Sequence, residues 1–270
     1  ISGFLISSII FKSLKRGDFK FTEFYANRVR RIFPALILVL VVCYVTGWFA
    51  LLADEYKQLG KHMAGGAGFL QNFVLLQEAG YFDTTSELKP LMHLWSLAVE
   101  EQFYVLFPAL IWCTWRMGLN VLTTVFLLGA ISFYLNINGV EDNATRTFFS
   151  PQTRFWELMV GAALAHLHFS SALISASSIK LRLSRWEGLS QISHTRQREA
   201  VVEDLIAILG LLLILFSALI LNKGNQFPGW WAVLPVLGAS FLILAGPLAW
   251  VNRTLLANRV MVFIGMISYP

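Results

Sequence analysis

Three charge-free stretches of this sequence are each long enough to cross a membrane as a helix. They are 32–53, 117–140 and 224–252, and they lie in different parts of the chain. A helix needs about 20 consecutive apolar residues to cross the hydrocarbon core of a bilayer. Only 14% of the 270 residues are charged, whereas about 25% are charged in an average soluble domain. The pattern predicts an all-α, polytopic transmembrane helix bundle, and it argues against a soluble fold that follows a signal peptide.

Hydropathy divides the chain into helical segments joined by shorter polar connections, with one long polar loop at 175–202 and no internal repeat. Segments 1–11 and 259–270 are too short to cross, so we expect each to be half of a helix that continues outside this sequence. The whole of 1–270 is interpreted as one membrane domain truncated at both ends. Complete apolar helices are predicted at roughly 33–53, 90–115, 119–138, 155–174, 203–222 and 230–249, and segment 62–77 would be a seventh.

Segment 62–77 is short and interrupted by glycines, which is typical of broken or re-entrant helices. If it makes no net crossing, the basic segments 12–31 and 175–202 lie on one side of the membrane, together with Arg116. If it crosses, the basic residues divide almost evenly between the two sides. The positive-inside rule favours the first arrangement, although long loops can translocate whatever their charge, so both stay open. The net charge of +5 is therefore interpreted as a topology signal, and no nucleic-acid partner is expected.

A pair of arginines, Arg28 and Arg31, lies just before the first complete span. Residues three apart share one face of a helix, and guanidinium groups bind phosphates with two parallel hydrogen bonds. The pair could therefore bind a phosphorylated ligand. Ordinary anchoring at the cytoplasmic surface explains the same residues, and the spacing alone favours that simpler interpretation.

The segment HLWSLAVEEQFYVLFP places a polar stripe on an apolar helix. His93, Ser96, Glu100 and Tyr104 fall within an arc of about 80°. A carboxylate at membrane depth costs about 2.5–3.5 kcal/mol even on insertion scales, so it should face a partner or a wet cavity. Glu101 points about 100° away from Glu100, and we expect the two carboxylates to have different roles. A structural ion pair, for example with an arginine, is the alternative to a catalytic role.

A third polar motif, RFWELMVGA, begins with Arg154, which can pair with Glu157 on the same helix face. Glu157, Gly161 and Ala165 also share a face, and small residues there allow a close approach of helices. A structural ion pair and a role in the site are equally compatible with the motif. The histidines His62, His166 and His168 have no acidic neighbour at helical spacing and are interpreted as structural. No zinc motif or phosphate-binding loop is present, and no metal is expected.

These motifs resemble, in this order, acyltransferase family 3, the bacterial integral-membrane O-acyltransferases. The resemblance extends over essentially the whole chain, and its most specific element is HLWSLAVEEQFY. The family is described with about ten transmembrane helices, of which this sequence would hold seven complete and two partial ones. The matching elements are ISGFLI, FYANRVRRIFPAL, LMHLWSLAVEEQFYVLFPAL, RFWELMVGA, FPGWWAVLPVLGA and IGMISYP.

The resemblance implies transfer of an acyl group, usually acetyl, from acyl-CoA to a hydroxyl of a cell-envelope or exported carbohydrate such as lipopolysaccharide, peptidoglycan or exopolysaccharide. It implies a multi-pass protein of the bacterial inner membrane, surrounded by lipid. Arg28 and Arg31 match the family's Arg-x-x-Arg motif on the CoA side. The family's catalytic histidine lies upstream of residue 1, so this fragment alone is expected to be inactive.

The remaining site residues follow from the signature inside the bundle. Glu100 and Glu101 are the first catalytic candidates, and Ser96 and His93 are supporting ones. Tyr104, Arg154 and Glu157 are candidates for binding the acceptor. The alternative function is a transporter or flippase, in which buried charges move protons or substrate. That alternative predicts an internal repeat and leaves Arg28 and Arg31 as anchors.

Overall fold

The computed structural model describes residues 1–78, 89–182, 189–222 and 226–268, with their side chains except at 170–199 and 268. Within those ranges the regular elements are all helical, which confirms the all-α prediction. A 3-10 turn at Trp230–Ala232 precedes α10, and a π-helix at Val251–Leu256 precedes α11. In chain order the α-helices are α1 (Ser2–Arg16), α2 (Phe21–Ala50), α3 (Ala53–Ala67), α4 (Gln71–Glu78), α5 (Leu94–Arg116), α6 (Val121–Asp142), α7 (Ala144–Phe149), α8 (Pro151–Arg182), α9 (Leu189–Ile220), α10 (Val233–Ala245) and α11 (Arg259–Ser268).

Four of the described helices are long and apolar enough to cross a membrane. They are α2, α5, α6 and the part of α9 from Ala200 to Ile220, and they correspond to four of the seven complete spans expected. Predicted span 155–174 lies in α8, whose side chains after residue 169 fall outside the description. The protein is therefore a polytopic helical membrane protein.

Three of the predicted segments have different limits in the structure. Segment 230–249 is not one complete span, because α10 ends at Ala245, where Gly246 has a φ of 75° and Pro247 follows. Segment 175–202 is not a polar loop, because α8 extends to Arg182 and α9 begins at Leu189. Residues 189–202 contain neither glycine nor proline to stop a helix. Segment 12–31 is likewise helical apart from 17–20.

The chain divides into two compact units. The first comprises 1–12, 125–129 and 157–269, and the second comprises 13–124 and 130–156. In the first unit, α9 and α10 approach closely at Gly210 and Gly238, where an added Cβ on either would lie within 2.8 Å of the other's carbonyl oxygen. The predicted close approach at Gly161 is confirmed, since its partner there is the backbone of Gly3.

The second unit contains the candidate site and is organised by α2. Helix α3 runs back along α2. Leu59, in the middle of α3, lies against Gly47 near the end of α2, and beyond the end of α3 the ring of Phe69 lies 5.8 Å from that of Phe33. Leucine side chains fill the interface between them. This core cluster consists of Leu36, Leu40, Leu59 and Leu91.

Segment 62–77 is a helical hairpin whose tip is the turn at 68–70. Helix α4 folds back on α3, and an added Cβ on Gly65 would lie 2.7 Å from Val74 Cγ2. Near the open end of the hairpin, Lys61 Nζ lies 2.9 Å from Glu78 Oε1. At Gly65, only a residue without a side chain allows α3 and α4 to approach this closely. The segment is therefore the broken helix that its glycines indicate.

Helix α5 also runs antiparallel to α2. The hydroxyl of Tyr25 donates to the carbonyl oxygen of Val105 at 2.8 Å, and the rings of Phe21 and Trp112 lie 5.9 Å apart. The C-terminal end of α5 thus lies beside the N-terminal end of α2. This arrangement agrees with the charge argument, which places segment 12–31 and Arg116 on the same side of the membrane.

Candidate active site

A buried ion pair joins α2 to α5 at the centre of the second unit. Arg28 Nη2 donates to Glu101 Oε1 at 2.9 Å, and the two side chains are 11% and 10% exposed. The antiparallel packing of α2 and α5 brings these residues to the same level, about two helical turns from Phe21 along α2 and about three turns from Trp112 along α5. Loss of either residue removes the Arg28–Glu101 contact from a charge that lies largely away from water.

Tyr104 connects the ion pair to the second glutamate. The guanidinium carbon of Arg28 lies 3.7 Å from the centroid of the Tyr104 ring, which is within cation–π distance. The hydroxyl of Tyr104 donates to Glu100 Oε2 at 2.9 Å. Glu100 and Glu101 therefore have different partners, as the helical geometry predicted. The prediction that Tyr104 and Glu100 lie on the same polar face of the helix is also confirmed.

Three of the other predicted site residues lie at exposed positions. Arg31 is exposed on α2, and His93 and Ser96 are exposed at the start of α5, where the Ser96 hydroxyl donates to the carbonyl oxygen of His93 at 3.2 Å. Arg154 lies over two aromatic rings, those of Trp95 and Phe148. The pairing of Arg154 with Glu157 stays a prediction.

A cavity of about 390 Å³ opens beside the ion pair. Its walls are largely apolar, and its volume lies at the lower end of the range of small-molecule sites. The charged groups in its wall are those of Arg28 and Glu101. The lining comes from α2 (Tyr25, Arg28, Val29, Ile32, Phe33), from the hairpin tip (Gly68, Phe69, Leu70) and from α5 (Glu101, Gln102, Val105, Leu106).

Gln102 fixes the hairpin tip against the cavity, a role that sequence reasoning missed. Its Nε2 donates to the carbonyl oxygen of Phe69 at 2.8 Å and to Asn72 Oδ1 at 2.9 Å. Asn72 in turn donates to the carbonyl oxygen of Phe149 at 3.0 Å. The only sequence signal for this arrangement is the position of Gln102 immediately after two intramembrane glutamates.

A second polar cluster joins α3 to α4 inside the hairpin. His62 is 2% exposed, with Gln71 Nε2 2.7 Å from its Nδ1 and Glu78 Oε2 3.0 Å from its Nε2. The same carboxylate binds Lys61 and Lys89, each at 2.9 Å. The prediction that His62 lacks an acidic neighbour held only along a single helix, because the fold of the hairpin brings Glu78 to it. Each ring nitrogen lies within 3.0 Å of a polar side-chain atom, which suits a structural role.

Within the described ranges, no group of three or more histidine, cysteine, aspartate or glutamate side chains has the geometry to hold a metal ion. The site thus consists of charge-assisted hydrogen bonds next to an apolar cavity. Such a site can orient a polarisable carbonyl or an anionic group at the edge of an apolar chain.

Comparison with known proteins gives several matches to longer or equally long chains. An uncharacterized protein of Haemophilus influenzae is 29% identical over 90% of this chain and 94% of its own length. A Staphylococcus aureus protein (strain COL) is 27% identical over the whole chain, which spans 43% of that protein's length. The O-acetyltransferase OatA of Staphylococcus aureus is 31% identical over 68% of this chain and 31% of its own length. No solved structure matches.

The family comparison agrees with these relatives and with the motifs. The model of the acyltransferase domain family matches residues 1–270, from the first residue to the last. The Arg28–Glu101 pair and the Tyr104–Glu100 hydrogen bond both belong to the motifs on which the resemblance depends. The chain therefore belongs to acyltransferase family 3, the integral-membrane O-acyltransferases.

Proposed function

We propose that this chain belongs to an enzyme of the bacterial inner membrane that transfers an acyl group, acetyl in the first instance, from acyl-CoA to a hydroxyl of a cell-envelope or exported carbohydrate. Membership of the family supports acyl transfer. The identities of the donor, acyl-CoA, and of the acceptor, a carbohydrate, are what we propose. The observation that carries it is the Arg28–Glu101 pair in the wall of an apolar cavity. Membrane lipid and the carbohydrate are the expected partners.

The position of the cavity suits a donor from the cytoplasm. Its α2 residues lie between 25 and 33 and overlap the end of the basic segment 12–31, which the positive-inside rule places at the cytoplasmic side. Arg31 is exposed one turn from Arg28, and its guanidinium group is the proposed binding group for a phosphate of CoA. Arg28 is less exposed than Arg31 and is held by Glu101, so it is placed to orient the end of the donor that carries the thioester.

The reaction balances as an ordinary acyl transfer. The acceptor hydroxyl oxygen attacks the thioester carbonyl, a C–O bond forms and the C–S bond breaks. The hydroxyl proton passes to a base and then to the departing CoA sulfur, which leaves as a thiol. A positioned base contributes typically 10²–10⁴-fold to such a step. No residue of 1–270 is assigned that role, and Glu100 and Glu101 are proposed to orient reacting groups.

The test uses membranes that contain the full-length protein and lack endogenous activity. Labelled acetyl-CoA is supplied, and label in alkali-labile esters of envelope polysaccharide is counted for the wild type and for Arg28→Ala/Arg31→Ala. Label that depends on the arginines supports the proposal. Absence of label with every acyl-CoA and polysaccharide of a panel would contradict it.

A transporter is the second candidate, and one observation favours it. His62, Glu78, Lys61 and Lys89 form a cluster of titratable side chains in and beside the α3–α4 hairpin, and intramembrane charges are typical of proton-coupled transport. Proteoliposomes that take up protons or carbohydrate without any acyl-CoA would favour this function. Acyl transfer without net transport would exclude it.

A further inference from the structure

The tip of the α3–α4 hairpin places a bulky residue where the backbone favours glycine. Phe69 has a φ of 54° and is the only described residue other than glycine with a positive φ. Such a conformation costs free energy for a residue with a large side chain, and it persists only where the surroundings impose it. Gly68 lies immediately before Phe69, yet the positive φ falls on the phenylalanine and not on the glycine.

Three contacts impose this conformation. The Phe69 N–H donates to the carbonyl oxygen of Gly66 at 3.2 Å. Its carbonyl oxygen accepts from Gln102 at 2.8 Å. Its ring packs edge to face on that of Phe33 with the centroids 5.8 Å apart. These contacts fix both the backbone and the ring of Phe69. We infer that the strained backbone conformation serves to place the ring.

The Phe69 ring is part of the cavity wall next to the ion pair. Phe33 and Phe69 both line the cavity, as do Arg28, Glu101 and Gln102. An apolar space of about 390 Å³ is larger than an acetyl group requires, and two aromatic rings occupy part of its lining. We propose that Phe69 determines how long an acyl chain the cavity accepts, and that Gln102 is the positioning residue that holds Phe69 in place.

This inference rests on the proposed function, because it takes the occupant to be the acyl chain of the donor. In this arrangement the thioester end lies toward Arg28 and the chain extends along the apolar wall. Removing the Phe69 ring creates space on the order of 100 Å³. One methylene group more or less in an apolar pocket changes kcat/KM by about 10–200-fold. The preference for acyl-chain length therefore responds strongly to a change in the cavity wall.

The experiment measures kcat/KM of the full-length protein for acyl-CoA donors with chains of two, four, six and eight carbons. Phe69→Ala and Phe69→Gly are compared with the wild type. The matched control is Phe73→Ala, because Phe73 belongs to the same hairpin but is 38% exposed and does not line the cavity. Phe69→Gly relieves the strained φ as well, so it separates loss of the ring from a folding defect.

Both Phe69 variants are expected to raise the ratio of six-carbon to two-carbon transfer at least about tenfold, and Phe73→Ala is expected to leave it unchanged. An unchanged ratio in Phe69→Ala and Phe69→Gly overturns the inference and leaves the proposed function intact. An equal loss for every chain length also overturns it, since the cavity would then hold the part of CoA common to all donors. Lack of transfer from any donor in the wild type overturns the proposed function and this inference with it.

A second pair of variants tests the role of Gln102. Leucine at this position cannot donate to Phe69 or Asn72, so Gln102→Leu is expected to flatten the chain-length preference as Phe69→Ala does. In the Phe69→Gly background, Gln102→Leu should change the preference no further, because residues that act through one contact are not additive. Additive effects on the preference would contradict the assignment of Gln102 as a positioning residue.

Discussion

Arg28 and Glu101 are 73 residues apart in the sequence and 2.9 Å apart in the structure. The pair joins two antiparallel helices that both qualify as membrane spans, and it forms part of the cavity wall. Its two members come from two of the motifs that carry the family resemblance. An arginine near the start of α2 and a glutamate of α5 are therefore one structural unit.

Breaking this pair on one side is expected to destabilise the protein strongly. Glu101→Ala leaves the Arg28 charge buried without its carboxylate, and loss of one partner of a buried pair typically costs about 3–5 kcal/mol. Replacement of both residues by apolar ones, Arg28→Met with Glu101→Leu, should restore most of the stability, but the double variant should have no transfer activity. Thermal unfolding in detergent measures the stability, and turnover of the acyl donor measures the activity. A Glu101→Ala protein as stable as the wild type would contradict the importance of the pair.

The two arginines of the Arg-x-x-Arg motif are expected to differ in their effects. Arg31→Ala should raise KM for acyl-CoA with little change in unfolding temperature, because Arg31 is exposed, and surface charges contribute little to stability. Arg28→Ala should lower the unfolding temperature as well as activity. Arg30→Ala is the matched control, since Arg30 is also exposed on α2 but points to a different face. Equal KM effects of Arg30→Ala and Arg31→Ala would contradict a phosphate-binding role for Arg31.

Two glycines of α3 are expected to respond to alanine with opposite signs. A Cβ at Gly65 would lie 2.7 Å from Val74 Cγ2, so Gly65→Ala should cost about 1–3 kcal/mol through overpacking. A Cβ at Gly60 meets nothing within 4 Å, so Gly60→Ala should stabilise the helix by up to about 1 kcal/mol. Unfolding temperatures in detergent compare the two.

The glycine comparison has its own internal check. Val74→Ala removes the methyl group nearest to the new Cβ and should restore part of the stability lost in Gly65→Ala. Equal destabilisation by both glycine variants would mean that α3 and α4 do not pack as a hairpin.

The orientation of α2 and α5 predicts which residues share a side of the membrane. Cysteines introduced at Ser13 and Met117 should react with a membrane-impermeant thiol reagent from the same side, and a cysteine at Leu52 from the opposite side. The experiment requires a background in which Cys43 and Cys113 are replaced. Labelling of Ser13→Cys and Met117→Cys from opposite sides would refute the hairpin as a segment without net crossing.

The membrane class, the helical fold and the main spans could be predicted from the sequence, because each depends on local composition. Charge-free stretches long enough to cross appear in the chain without reference to any distant residue. The Tyr104–Glu100 hydrogen bond could be predicted for the same reason, since i,i+4 geometry is a property of a single helix. The end of α10 was predicted too late because the left-handed Gly246 outweighs the apolar residues that follow it.

The contacts of the candidate site depend on the tertiary structure. The sequence presents Arg28 and Glu101 as separate motifs, and only the antiparallel packing of α2 on α5 makes them a pair. It presents His62 without an acid, and only the fold of the hairpin at 68–70 brings Glu78 to it. Hydropathy and helical periodicity are set by neighbours along the chain, so the sequence by itself determined the class, the spans and the polar stripe. Partners across helices depend on packing between distant segments, so only the tertiary structure decided which charges meet and that Phe69 lies beside the cavity.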